Sequence, residues 1–86
     1  MLVEIFKGKK RQETYLYVKM SQGTEDVPQP LLDQLGELES VMRIKLTPQH
    51  TLARANAQEV LASIEEQGFY LQMPPTAQEL RARDGA

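Results

Sequence analysis

The chain contains no cysteine, and that absence excludes several kinds of structure and chemistry. Disulfide bonds, thiolate nucleophiles and zinc sites built from thiolates all require that side chain. Long apolar runs are also missing, since none approaches the roughly 20 residues that a helix needs to cross a bilayer. The start of the chain places its charges after its apolar stretch, which is the reverse of a secretory signal. We therefore expect a cytoplasmic protein that does not enter a membrane.

Histidine is almost as scarce, because His50 is the only one. No carboxylate lies at a local spacing that would orient this imidazole, so a solvated loop histidine is the simpler interpretation. The serines Ser21, Ser40 and Ser63 have no histidine or lysine at a recognisable catalytic spacing. We expect no metal ion and no cofactor, and the sequence favours a protein that is not an enzyme. An enzyme whose residues come together from distant loops is the least favoured alternative.

Length and charge set the next limits. A chain of 86 residues with 41% hydrophobic and 26% charged residues is expected to fold as a single domain over 1–86. The net charge of −2 argues against strong nucleic-acid binding by the chain as a whole. The charge is uneven, however: residues 1–20 hold five basic residues, and residues 25–39 hold five acidic residues and no basic one.

The first two apolar runs predict a β-hairpin covered on both faces. Residues 2–6 and 14–18 are rich in β-branched and aromatic residues, and a short polar connector joins them. A connection this short makes the two strands antiparallel. In both runs the apolar residues point to both sides, which is typical of a sheet that lies between two layers. We therefore expect helices on both faces of the sheet.

The rest of the chain predicts those helices and two further strands. A short helix is expected with Pro28 in its first turn and Gly36 as its C-terminal cap. An edge strand over 40–46 that carries Arg43 and Lys45 follows it. A second helix is predicted over 57–67. Asn56 and Glu59 form the capping pattern at its start, and Gly68 ends it. A strand over 69–73 and a terminal helix from 76 complete the order ββαβαβα.

Several runs of residues resemble those of a known family. The runs that carry the likeness are Lys10-Arg11, 14–18, Val27-Pro28, Leu31-Leu32, Leu35-Gly36, Leu52, Ala55, Val60 and, most specifically, 66–75. They are similar to the YcgL family of small proteobacterial proteins, over roughly residues 3–81. The resemblance implies an α+β fold, an α/β/α sandwich around a four-stranded, mostly antiparallel sheet. It implies no particular activity.

One group of residues has a physical rationale as a ligand surface. The candidate residues are Lys9, Lys10, Arg11, Tyr15, Tyr17 and Tyr70. Cations that contact phosphates beside aromatic rings that stack on bases are what single-stranded nucleic acid requires. If a helix covers the tyrosines, they are instead core residues with their hydroxyls at the rim. That alternative is the favoured one.

The leading functional hypothesis is a non-enzymatic protein-interaction or adaptor module with an unknown protein partner. A domain this small has little room for a sizeable pocket. The second hypothesis is an RNA-binding accessory protein that uses the basic connector of the hairpin. Steep salt dependence of RNA binding would be its signature.

Overall fold

The computed structural model describes residues 1–11, 13–50, 52 and 55–73 of the chain. Within them lie six elements: β1 Leu2–Gly8, β2 Tyr15–Lys19, α1 Gln29–Leu35, β3 Leu38–Lys45, α2 Ala57–Gln67 and β4 Phe69–Gln72.

These elements confirm the predicted order as far as the fourth strand. The terminal helix predicted from residue 76 lies outside the described residues, so it stays a prediction.

The four strands form one sheet in the order β3-β1-β2-β4, and every neighbouring pair is antiparallel. The hairpin of β1 and β2 is confirmed, with Ile5 opposite Tyr17 and Phe6 opposite Leu16. The edge position predicted for β3 is confirmed as well. Strand β4 forms the other edge, beside β2.

Apolar residues of the central strands are buried on both sides of the sheet, as the sequence predicted. On the side we call the α2 face, Val3, Ile5 and Tyr17 pack with Val60 and Ile64 of α2. On the opposite side, the α1 face, a second cluster of buried residues packs with α1: Leu16, Val18, Val27 and Leu35. The sandwich arrangement with a helix on each face is therefore confirmed.

The ends of the helices follow from their sequences. The Asn56 carboxamide oxygen accepts hydrogen bonds from the Gln58 and Glu59 amides, at 2.8 and 3.2 Å, which satisfies two donors in the first turn of α2. Gly68 ends that helix with φ 91°, a left-handed conformation in which a side chain would be strained. In α1, Pro30 lies within the first turn, where its missing N–H is tolerated.

Candidate functional site

The basic connector of the hairpin is held against the segment that follows α1. The Lys9 amide donates to the Glu37 carbonyl and the Lys10 amide donates to the Leu35 carbonyl, each at 3.0 Å. The Lys9 ammonium also lies 3.5 Å from the Glu37 carboxylate, in an exposed ion pair. The backbone contacts therefore fix where this connector sits.

The side chain of Lys10 packs closely against Gly36. A Cβ at Gly36 would lie 2.6 Å from Cγ of Lys10, so the aliphatic stem of the lysine passes directly over the glycine. Lys10 also lines an open groove of about 630 Å³, together with Thr24, Gln29, Leu32, Asp33, Gly36, Glu37 and Leu38. The groove carries carboxylates as well as a cation, so its charge does not select an anionic ligand.

The three candidate tyrosines lie on the α2 face. Tyr17 is only 6% exposed and belongs to the buried cluster, while Tyr15 and Tyr70 are half-buried and pack against it. The rings of Tyr17 and Tyr70 meet edge to face, with their centroids 5.6 Å apart. A base cannot stack on the Tyr17 ring in this arrangement. Tyr17 is therefore a core residue, which is the alternative that the sequence left open for the tyrosines.

The candidate residues are consequently not brought together on one surface. Lys9 and Lys10 contact the end of α1 and the residues after it, whereas the tyrosines pack beneath α2 on the other face. Arg11 is exposed at the connector. Closeness in the sequence suggested one site, but the connector turns toward the end of α1 while the tyrosine side chains point to the opposite face of the sheet.

The remaining sequence candidate, His50, is exposed in the loop after β3, and its amide donates to the Thr47 carbonyl at 3.0 Å. Among the described residues, no three side chains of the metal-ligating types lie close enough to hold an ion together. Within the same residues, no helix has both the length and the apolar character of a membrane-spanning segment.

An exposed apolar edge on β3 was missed by sequence reasoning. Met42 lies opposite Ile5 and Ser40 opposite Phe6, so Val41 is an extra residue in a β-bulge. Val41 is 46% exposed and Met42 is 53% exposed. The signal in the sequence is the adjacent pair Val41-Met42, because strict alternation in an edge strand would place only one of them outside the core.

The two sides of β3 differ in chemistry. Met42 and Ile44 pair with Ile5 and Val3, so they lie on the α2 face. The cations of β3 lie on the α1 face. Arg43 is opposite Glu4, and Glu4 is opposite Val18, which is buried in the cluster on that face. Lys45 is two residues further along β3 and therefore points to the same side. The edge is thus apolar on one side and basic on the other.

Glu4 organises the basic side. One carboxylate oxygen accepts a hydrogen bond from the Ser40 hydroxyl at 2.8 Å and another from Nε of Arg43 at 2.9 Å. These bonds lower the pKa of the Glu4 carboxyl, with the Ser40 bond the largest cause and the Arg43 bond the next. Ser40 and Arg43 lie 36 and 39 positions from Glu4 in the chain, so local spacing could not have revealed the contact.

Comparison with known proteins finds related sequences. A family model described as the YcgL domain matches residues 3–75. A YcgL domain-containing protein of Saccharophagus degradans is 45% identical over 75 residues, covering 87% of this chain and 82% of that protein. Another, from Chromohalobacter salexigens, is 51% identical over 74 residues, covering 86% and 77%.

A longer protein also contains a similar segment. A protein of Nitrosococcus oceani named as a HAD-like hydrolase is 44% identical over 69 residues. That alignment covers 80% of this chain but only 19% of the longer protein.

Proposed function

The chain belongs to the YcgL domain family, and we propose that it is a non-enzymatic protein-binding module that binds its partner along β3. The exposed edge strand carries this proposal. β3 spans Leu38–Lys45 and, within the part of the chain that the structure describes, pairs with one strand, β1. An edge strand leaves backbone donors and acceptors available, and an extended partner segment can add to it as a further strand.

The distribution of apolar residues supports the same choice. The central strands β1 and β2 bury most of their apolar side chains in the two clusters, with Leu2 at the start of β1 as an exposed exception, whereas β3 exposes two adjacent ones, Val41 and Met42. Apolar side chains that stay in water beside unpaired backbone groups are unfavourable unless something covers them. A partner strand would cover both kinds of group at once.

The longer relative offers independent support. In the Nitrosococcus oceani protein the similar segment occupies about a fifth of the length, so the domain occurs there beside other chain segments. A small domain joined to a much longer protein is in the position expected of a module that contacts a neighbour. For the present chain, we propose that the neighbour is a separate protein.

The RNA-binding alternative has less support. It needs cations and stacking rings on one surface, and here Lys9 is paired with Glu37 while the Tyr17 ring is buried on the other face. RNA nevertheless remains one outcome that the experiment distinguishes.

The test places a photo-crosslinking amino acid on β3 of the full chain. Met42 is replaced by benzoylphenylalanine, and the matched control carries the same replacement at Gln58, an exposed position on α2. Both proteins are irradiated in a lysate of a bacterium that carries a family member, with and without nuclease. We expect one protein to crosslink to position 42 and not to position 58, and to do so equally after nuclease treatment.

The partner segment is then identified by mass spectrometry of the crosslinked peptide, and the complex is rebuilt from the two purified proteins. A crosslink at both positions, or at neither, contradicts binding along β3. Crosslinks that disappear after nuclease treatment support the RNA-binding alternative instead.

A further inference from the structure

We propose that the segment that binds β3 is an extended strand in which apolar and acidic residues alternate. Its apolar side chains lie on the α2 face beside Met42, and its carboxylates lie on the α1 face beside Arg43 and Lys45. This inference rests on the proposed function and names the chemistry of the partner.

The backbone of β3 is oriented to accept such a strand. The Leu46 amide donates to the Met1 carbonyl at 2.7 Å and the Met1 amine donates to the Leu46 carbonyl at 3.1 Å, so these two residues form a hydrogen-bonded pair. Hydrogen-bonded and non-hydrogen-bonded pairs alternate along an antiparallel ladder. The backbone groups of Ile44 and Met42 therefore face β1, and those of Arg43 and Lys45 face away from it.

The apolar side of the partner follows from the α2 face of β3. Met42 is 53% exposed there, and half-buried Ile44 lies two residues along on the same side. Directly opposite side chains in neighbouring strands lie about 5 Å apart and contact one another. An apolar residue of an added strand would extend the cluster beneath α2 outward across Met42.

The acidic side of the partner follows from the α1 face. The Arg43 side chain is 64% exposed although its Nε donates to Glu4, and a guanidinium carries five N–H donors in all. Lys45 is exposed on the same side of the strand. Among the described residues of the paired strand β1, one carboxylate, Glu4, faces these two cations, so within that part of the chain a positive charge remains at the edge. Carboxylates on an added strand would balance it.

Charge also argues against a second copy of the chain as the occupant. After the bulge at Val41, the regular part of β3 runs from Met42 to Lys45. If the β3 strands of two copies paired antiparallel about Ile44, Arg43 of each copy would lie opposite Lys45 of the other. Like charges directly opposite each other are destabilising. A different, acidic strand avoids that repulsion.

The experiment measures binding of fluorescent nine-residue peptides to the full chain by anisotropy. The probe alternates valine and glutamate, and the control probe alternates valine and lysine. We expect saturable binding of the Val/Glu peptide at least about tenfold tighter than that of the Val/Lys peptide, because the two differ in charge on the α1 face. Added salt should weaken the Val/Glu complex.

Two further comparisons test the geometry. Lys45→Glu should weaken binding of the Val/Glu peptide by about fivefold to tenfold, whereas Lys19→Glu, the same charge change at an exposed residue of β2, should not. Two N-methylated versions of the peptide carry the methyl groups on alternate sets of amides. Only the set that faces β3 should abolish binding, since only that set donates to the strand.

Equal binding of the two peptides, equal effects of Lys45→Glu and Lys19→Glu, or indifference to both methylation patterns would overturn this inference. The proposed function fails separately. If position 42 crosslinks to a protein segment that does not alternate apolar and acidic residues, binding along β3 stands and the inferred chemistry is wrong. If position 42 crosslinks to nothing, the proposed function itself is wrong.

Discussion

The Tyr17 hydroxyl donates a hydrogen bond to Oε1 of Gln72, 2.7 Å away. Tyr17 lies directly opposite Tyr70 in the β2–β4 pair, so Gln72 is the diagonal neighbour of Tyr17 on the same face of the sheet. The bond gives a buried tyrosine a polar partner at the rim of the core, and it ties the four-residue edge strand β4 to the centre of the sheet.

Removing that hydroxyl should destabilise the domain. In Tyr17→Phe the ring stays in the cluster beneath α2 and the Gln72 carboxamide loses its donor. We expect the free energy of unfolding to fall by about 1 kcal/mol, the usual contribution of such a bond. The measurement is urea unfolding of both proteins.

A double-mutant cycle with Gln72→Ala shows whether the effect belongs to this pair. Coupling of about 0.5 kcal/mol or more between the two substitutions is expected for residues in contact. Strictly additive effects would mean that the contact between Tyr17 and Gln72 contributes nothing measurable.

Much of this fold could be predicted because its signals are local. Asn56 and Gly68 mark the two ends of α2. In the strand over residues 14–18, apolar side chains point to both faces of the sheet, which predicted a covering layer on each face. Arg43 and Lys45 similarly indicated an edge strand. In each case a few neighbouring residues determine the structural feature.

The candidate site could not be predicted in the same way. Which face each residue of β2 occupies depends on the register with β1 and on which helix packs above it, and the short separation of Lys10 and Tyr17 in the chain reveals neither. The bulge at Val41 shifts the pairing of β3 within a single strand. The contact of Glu4 with Ser40 and Arg43 depends on pairing between strands far apart in the chain.

Gly68, which ends α2, should not tolerate replacement by alanine. Its φ is 91°, and a Cβ there would overlap Cβ of Asp26, so the substitution adds a steric conflict to the backbone strain. We expect Gly68→Ala to lower the free energy of unfolding by about 2 kcal/mol or more, measured by urea unfolding.

Gly23 is the matched control for Gly68. Its φ of 58° is also left-handed, but among the described residues other than its two chain neighbours no atom lies within 4 Å of an added Cβ. Gly23→Ala should therefore cost about 1 kcal/mol, which is the backbone strain alone. Equal losses for the two variants would show that the approach of Asp26 to α2 does not matter.

The Asn56 cap should be a measurable contribution to the stability of α2. Its side chain accepts from two first-turn amides, and alanine cannot replace it. We expect Asn56→Ala to reduce the free energy of unfolding by about 1 kcal/mol. Gln58→Ala, at an exposed position of the same turn, should change it by less than about 0.5 kcal/mol. Thermal or urea unfolding distinguishes the two; a larger loss for Gln58→Ala would disprove the role of the cap.

The Glu4 contacts should make stability depend on pH in acid. The Ser40 and Arg43 hydrogen bonds lower the pKa of Glu4 in the folded protein below its ordinary value of 4.5. A carboxyl with a depressed folded pKa stabilises the fold fully above its unfolded pKa, and this contribution is lost as the pH falls through the folded pKa. Wild type should therefore exceed Glu4→Gln in stability at neutral pH.

The difference between the two proteins should disappear in acid. Because the Arg43 side chain is 64% exposed, solvent screens the pair, and we expect the neutral-pH difference to stay below about 1 kcal/mol. Urea unfolding at about pH 7 and again well below pH 4 measures it. Glu25→Gln, at an exposed loop carboxylate, is the control and should follow wild type throughout. A Glu4→Gln deficit that persists unchanged into acid would mean that the amide disrupts packing and that the carboxylate charge contributes nothing.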